Sequence, residues 1–387
     1  MTDQADTTLD GPWGPLHLHR LPYRPRSGLR AWDAADAHAL QHLADRGAAP
    51  QRCLVVGDRY GAIGIALAQR FGDAEVTIMA DSSLAHRGAE TNAVRNGLAA
   101  DRIGLATSLD QPVGPLDLVV LRVPRSLAML EDQLRRIRPA LGPDSTVLGT
   151  GMAKHVHTST LQCIERFIGP TTTSRAWRRA RLIHVTPDPG LDPGPSPFPV
   201  VHPLPGGLDA VSHAGVFAHG RVDHGTRLLL EHLPVVPDGA EVVDLGCGDG
   251  VVGLTIAAAQ PTAQLTFTDE SHMAVQSARE GWQRAFGADR PARFLLGDGM
   301  DAVADTSIDV VVVNPPFHDD HATGDAIAWD MFTGARRALR PGGRLIVVGN
   351  RHLGYHAKLA RLFGGSTTLA SNAKFVVLQS IRKEPRS

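Results

Sequence analysis

A chain of 387 residues is long enough for two domains, and its 43% hydrophobic and 20% charged content is that of a folded protein, not a disordered one. A formal charge of −1 excludes a global basic field, so a polyanion would have to meet a local patch. Cys53, Cys163 and Cys247 lie far apart with no CxxC pair, which argues against structural zinc or a disulfide framework; no metal is expected.

The opening "MTDQADTTLDGPWG" is polar and lacks the basic-then-apolar order of a signal peptide. No window approaches the ~18 apolar residues of a membrane span. A soluble, cytoplasmic protein with no membrane partner is expected, working as a monomer. The first half alternates short β-branched runs with helical stretches, as in "CLVVGDRYGAIGIALAQ" (53–69) and "LDLVVLRVPRSLAMLEDQ" (116–133), a pattern of βα units and a parallel sheet. The segment "TPDPGLDPGPSPFPVVHPLPGG" (186–207) then interrupts it. Its prolines forbid helix and starve a sheet of donors, so a stiff extended connector is expected between domains spanning 1–185 and 208–387. Beyond it, strands are expected at "EVVDLG", "QLTFTD", "RFLLGD", "IDVVVVN" and "RLIVVGN". Helices fall between them, and two further strands, "STTLASN" and "KFVVLQSIR", close the chain.

The halves repeat each other. "CLVVGDRYGAIGIALAQ" lies over "VVDLGCGDGVVGLTIAAA" (242–259), "LDLVVLRVPRSLAMLEDQ" over "IDVVVVNPPFHDDHATGD" (308–325), and "ERFIGPTTT" over "ARLFGGSTT". One α/β domain has been duplicated, and the copies have diverged.

"DLGCGDG" (244–250) follows a strand and opens a helix. Gly246, Gly248 and Gly250 permit a tight turn and let the backbone approach a ligand. Asp269 closes the next strand, where a nucleotide fold offers a carboxylate to a ribose diol, and Asp298 repeats the arrangement one strand further. Glycine and aspartate also make ordinary turns. The first copy, however, builds its turn with Val55, Arg59 and Tyr60 in place of Asp244, Gly248 and Asp249, so the turn alone does not demand the acidic set. An adenosine-type cofactor is expected in the second half and nothing comparable in the first. The GxGxxG spacing of a dinucleotide site is absent.

With the following Asn314-Pro315-Pro316-Phe317, "DLGCGDG" resembles the class I S-adenosylmethionine-dependent methyltransferases. The resemblance implies two tandem Rossmann-like domains. Each would carry a seven-stranded, mostly parallel sheet with an antiparallel C-terminal hairpin, the N-terminal copy being degenerate. It also implies that Asp244 and the glycines hold the methionine part of S-adenosylmethionine, Asp269 the ribose, and that Asp298 sits beside the adenine amine. The segment "AGVFAHGRVDHGTRLLLEHLP" is expected to close over the cofactor through Phe217 and Asp223.

In that family an NPP-aromatic tetrad marks enzymes that methylate a planar nitrogen. Such an amine is a poor nucleophile because its lone pair is shared with the ring. The side-chain carbonyl of Asn314 and the backbone carbonyl of Pro315 can accept its two N–H bonds and turn the lone pair toward the methyl donor. The prolines keep those carbonyls preorganised. Phe317 can stack on the ring. A strand-terminating turn would need only one proline, which is all that the first copy, Arg122-Val123-Pro124-Arg125, retains. "HDDH" (318–321) reads as solvated residues, and Cys247 as a small turn residue.

The tandem layout resembles the bacterial guanine-N2 methyltransferases of ribosomal RNA. The segments "HTSTLQCIERFIGPTTTSRAWRRARL", "GNRHLGYHAKL" and "SNAKFVVLQ" look closer to the large-subunit (23S) enzymes than to the small-subunit (16S) ones. The partner implied is ribosomal RNA, naked or within a subunit precursor. Arg24 and Arg26, with Arg175, Arg178, Arg179 and Arg181 of "RAWRRAR", are candidate phosphate contacts, although solvated faces explain such runs equally. Small-subunit guanine methylation, glutamine amide methylation in a protein and a non-catalytic RNA-binding or assembly module remain open alternatives.

Overall fold

The computed structural model describes residues 7–23, 28–47, 49–216, 220–316 and 321–384, the side chains of 321–323 excepted. The chain divides into two compact units, Met1–Pro197 and Phe198–Ser387.

The first unit begins with a hairpin of β1 (Thr8–Gly11) and β2 (Gly14–His17), then α1 (Ala34–Arg46). Its main elements are β3 (Arg52–Val56), α2 (Ala62–Arg70), β4 (Glu75–Ala80), α3 (Ser83–Arg95), β5 (Gly104–Thr107), β6 (Leu116–Arg122), α4 (Leu127–Ile137), β7 (Leu141–Met152), α5 (Thr158–Phe167), β8 (Thr171–Thr173) and β9 (Ala180–Val185). The second unit has a hairpin of β10 (Val200–Pro203) and β11 (Asp209–Ser212), then α6 (His224–Glu231). There follow β12 (Glu241–Leu245), α7 (Val251–Ala259), β13 (Gln264–Asp269), α8 (His272–Phe286), β14 (Arg293–Leu296), β15 (Ile308–Val313), α9 (His321–Ala338), β16 (Leu339–Asn350), α10 (Tyr355–Phe363), β17 (Thr367–Ser371) and β18 (Phe375–Ile381).

The sheet orders, β5-β4-β3-β6-β7-β9-β8 and β14-β13-β12-β15-β16-β18-β17, are the same arrangement twice. Five strands run parallel in each, and the last two join antiparallel. Even the register shift recurs, between Leu116 and Leu118 and between Ile308 and Val310. The duplicated α/β fold expected from the sequence is thus present in both units.

The valine run is long because β15 is central and covered on both faces. Val310 and Val312 pack with Leu254 and Phe267 on one side. Val311 and Val313 pack with Phe332 and Leu345 on the other. Each buried valine contributes about 1.5–3 kcal/mol, so alternation serves two cores instead of one core and solvent. Gly253 and Gly64 serve the same close packing of helix on strand. A Cβ at Gly253 would lie 2.3 Å from the Phe267 ring, and one at Gly64 2.6 Å from Ile78.

The proline-rich segment departs from the expected connector. Val200–Pro203 pairs with Asp209–Ser212, with Pro203 in the terminal pair, where a missing N–H costs the ladder least.

Candidate cofactor and acceptor site

In the second unit β12 lies between β13 and β15, so the chain leaves it toward both halves of the sheet. Such a switch point opens a crevice at the carboxyl ends of the strands, where open α/β sheets receive ligands. Asp244 and Asp269 lie within the ends of β12 and β13, while Asp298 and Asn314 follow β14 and β15.

The glycine turn is pinned beneath them. Gly246 N–H and Cys247 N–H donate to the Thr268 carbonyl at 2.8 and 3.0 Å, and Gly250 N–H to the Cys247 carbonyl at 2.8 Å. Gly248 and Gly250 have φ of 55° and 77°, in the left-handed region that glycine enters freely. Gly248 N–H donates to Asp269 Oδ2 at 3.0 Å, and Ser271 N–H to Oδ1 at 3.0 Å, fixing that carboxylate at the rim. Asp244 Oδ2 accepts from Gly253 N–H at 2.8 Å. Burial is the main reason that the Asp244 carboxyl is pushed up to about 8; the Gly253 bond opposes it, and the Asp249 and Asp269 charges reinforce it. Burial pushes the Cys247 thiol well up too, which leaves it an inert turn residue.

The donor set suits S-adenosylmethionine. Asp244, Asp269 and Asp298 offer carboxylates to an ammonium and to hydroxyl or amine donors, and the turn between them carries no cationic side chain.

Asn314 is held by residues 88 and 91 positions away in sequence. Asp223 caps α6, its Oδ1 accepting from Gly225 and Thr226 N–H at 2.8 and 3.3 Å. The Thr226 hydroxyl donates to Asp223 Oδ2. With its proton spent there, Thr226 Oγ1 accepts from Asn314 Nδ2 at 2.9 Å, and Asp223 Oδ2 lies 3.4 Å from the same nitrogen. Both neighbours can only accept, so the amide orientation is determined. Among the described residues, Asn314 Oδ1 is left buried without a partner. Pro315 is buried and Pro316 exposed.

Asp223, expected to touch the cofactor, thus turns to the helix end and to Asn314. Nothing in its sequence context signalled that, and Thr226 was missed. Also missed was Asp249, whose Oδ2 lies 2.6 Å from Ser212 Oγ and 3.0 Å from His202 Nε2, tying the β10–β11 hairpin to the turn. Asn350, ending β16 next to β15, has a second buried side-chain oxygen without a partner among the described residues. Phe317 and Phe217 lie outside the described residues, as do Arg24 and Arg26.

The first unit rebuilds each feature differently. Asp58 Oδ2 accepts from Gly64 N–H at 2.8 Å, the amide that corresponds to Gly253, so a turn carboxylate replaces the one at the strand end. Arg122, in the place of Asn314, pairs with Asp33 at 2.8 Å and with Asp36, the counterparts of Asp223 and Thr226. The Tyr60 ring packs against Gly88. Arg175, Arg178, Arg179 and Arg181 are all exposed around a tight hairpin turn between β8 and β9.

The fold and this site define a tandem-domain, S-adenosylmethionine-dependent class I methyltransferase whose first domain has Val55 and Arg122 where the second has Asp244 and Asn314. Residues 6–189 match the family described as RLMG N-terminal domain, and 207–379 the Methyltransferase small domain. A Streptomyces avermitilis protein named Ribosomal RNA large subunit methyltransferase G is 51% identical over 379 residues, 96% of this chain and 98% of the relative. One of the same name from Ectopseudomonas mendocina is 45% identical over 95% of this chain and 98% of its own length. The chain belongs to the ribosomal RNA large subunit methyltransferase G family. The T. thermophilus 16S rRNA N2 G1207 methyltransferase, solved with AdoMet and guanosine, shares the fold at a TM-score of 0.74 and 24% identity, over 99% of this chain and all of that one.

Proposed function

We propose that the protein transfers a methyl group from S-adenosylmethionine to the exocyclic N2 of a guanine in large-subunit ribosomal RNA. The observation that carries this is the buried Oδ1 of Asn314, an acceptor with no donor among the described residues. An exocyclic amine supplies the missing N–H, and the Pro315 carbonyl takes the second. With both hydrogens engaged, the nitrogen pyramidalises and its lone pair points across the switch point toward Asp244. The cofactor, when bound, supplies an electrophilic methyl. The N–C bond forms as the S–C bond breaks, and the nitrogen then sheds one proton to solvent. A neutral amine attacks, so the site needs no strong base and works by positioning. Asp244 and the glycines at 246, 248 and 250 hold the methionine part, Asp269 the ribose, and Asp298 the adenine amine. Phe317 stacks on the base.

The test is labelled methyl transfer to protein-free ribosomal RNA, assembled subunits and total protein in parallel. Label in N2-methylguanosine is expected. Label in 6-methyladenine or in protein would overturn the assignment.

The Asp244 carboxyl, at about 8, is largely protonated at neutral pH. Its ionised form is the one that accepts an ammonium, so binding of S-adenosylmethionine should release protons. Affinity should rise, by up to tenfold per pH unit, until pH passes about 8. The converse holds for the free fold. A carboxyl raised in the native state stabilises it fully below the unfolded value of about 4 and loses that contribution as pH climbs through about 8. Calorimetry in buffers of different ionisation enthalpy measures the proton count, and Asp244→Asn should flatten the pH dependence.

A further inference from the structure

Asn314 has a neighbour with the same unmet need. The Oδ1 of Asn350 is buried without a partner among the described residues, and Asn350 as a whole is 9% exposed. An acceptor stripped of water and given no donor is a standing cost to the fold. Two such oxygens stand at one place. β15 and β16 run parallel with Val313 opposite Val347, so Asn314 leaves its strand opposite Val348 and Asn350 lies two residues further along β16. Side chains alternate between the faces of a strand, and Val310, Val312, Ile346 and Val348 all pack into the layer that holds Leu229 of α6. Asn314 and Asn350 continue those rows on the same face. Strand and residue spacings put their Cα atoms about 8 Å apart, within reach of a common point between two carboxamides. The start of α6 closes that end of the face. Asp223 and Thr226 hold Asn314, while Gly225 lies against the ring of Phe375, the residue opposite Asn350 on β18; a Cβ at Gly225 would be 3.1 Å from that ring.

The backbone does not ask for asparagine at this position. β7 and β16 are both 12 residues long, and each runs straight into one turn of 3-10 helix. The residue in the place of Asn350 is Met152, with φ −65° and ψ 136° against −65° and 137°. Met152 faces Ala180 across its antiparallel pair as Asn350 faces Phe375. A thioether therefore serves the same strand end in the unit that has Arg122 in place of Asn314. Both unmet oxygens belong to the unit with the acidic row, and the other has neither.

We propose that Asn350 reads the ring N1–H of the acceptor base and so makes the site selective for guanine. The inference rests on the reading that an exocyclic amine is methylated against Asn314, and it deepens that reading. Asn314 Oδ1 and the Pro315 carbonyl take the two N–H bonds of the amine. Beside that amine guanine presents another donor, N1–H, and Asn350 Oδ1 accepts it. Adenine, with its amine in the same place, presents a bare N1 lone pair that meets an oxygen and finds no donor. A glutamine amide has no further N–H next to its own. Acceptors alone reject the wrong partner by leaving it unpaired, which discriminates more strongly than a poor fit.

The test uses the full-length protein under single turnover, on a large-subunit ribosomal RNA transcript altered only at the nucleotide that takes the label. 2-Aminopurine keeps the 2-amine and lacks N1–H, whereas 6-thioguanine keeps N1–H and changes the 6 position. Wild type should methylate guanine about 10²-fold faster than 2-aminopurine, and 6-thioguanine at a rate close to guanine's. In Asn350→Ala the preference for guanine over 2-aminopurine should fall by about 30-fold, a ratio in which the intrinsic reactivity of the two amines cancels. A purely structural role would slow both substrates together and leave the ratio alone. Asn350→Asp, whose ionised form offers acceptors only, should keep the preference. Equal transfer to guanine and 2-aminopurine by wild type would overturn the proposal, and so would a preference for 2-aminopurine, since that places Nδ2 toward the base. Neither result depends on a variant that folds. An unchanged ratio in Asn350→Ala would overturn it as well. Failure of the underlying reading looks different: label then falls in adenine or in protein, and no N2-methylguanosine forms.

Discussion

Asn314→Ala is expected to lower kcat by about 10²–10³-fold, the scale on which loss of one preorganised polar partner is felt in a transition state. The dissociation constant for S-adenosylmethionine should stay within about twofold, because among the described residues Asn314 bonds Thr226 and Asp223 and makes no hydrogen bond to the glycine turn. Most of the effect should fall on kcat. Accepting an N–H matters more as the nitrogen pyramidalises than when the flat amine first docks.

The supporting residues sharpen this expectation. Thr226→Val removes an acceptor without removing Asn314, and the amide, held then only by the 3.4 Å contact to Asp223, can rotate its nitrogen toward the substrate. A fall of about tenfold in kcat with unchanged cofactor affinity should follow, and Thr226→Ser should recover most of it, since the serine hydroxyl can bridge the same groups. Rapid-quench methyl transfer under single turnover separates these changes from product release. Wild-type turnover in Asn314→Ala would eliminate the polarised-amine mechanism, whatever the affinity measurements show.

What the sequence disclosed and what it concealed divide along physical lines. β-branched runs, glycine turns and strand-end carboxylates are local signals, so the parallel sheet, the switch point and the row Asp244, Asp269, Asp298 and Asn314 were legible. Their meaning was sharpened by the second copy, where Arg122 replaces Asn314 and Val55 replaces Asp244. Contacts between distant polar residues were not legible. Asp223 was expected at the cofactor; in the fold one oxygen caps α6 and the other lies against Asn314, 91 residues away. His202 sits among prolines and reads as part of a linker; only the pairing of β10 with β11 brings it to Asp249. The swap of Asn for Arg at 122 looked like the loss of an acceptor. In the fold it is an exchange of one buried polar arrangement for another.

That exchange sets the second large expectation. Arg122→Ala should destabilise the first unit by about 3–5 kcal/mol, because it strands Asp33 and the fully buried Asp36 without their guanidinium. A melting transition about 10 °C lower should report it. The loss should depend on pH with a definite sign. Burial, opposed by Arg122, already raises the Asp36 carboxyl above its ordinary value, and removing Arg122 raises it further. A carboxyl raised in the folded state favours folding below about pH 4, where it is protonated in both states, and loses that advantage as pH rises. The variant should therefore approach wild type in mild acid and fall away toward neutrality. The second unit indicates the repair, since Asn314, Asp223 and Thr226 satisfy the same three positions without a full ion pair. Arg122→Asn combined with Asp36→Thr should recover more than half of the loss that Arg122→Asn alone produces. A double variant no better than the single one, or an Arg122→Ala protein as stable as wild type from pH 5 to 8, would show that the two units do not share this device. Recovery would show that a strand-end side chain clasped by a helix cap is what the duplicated fold requires. Leaving one oxygen of that side chain free is then the second unit's addition, and the part given over to chemistry.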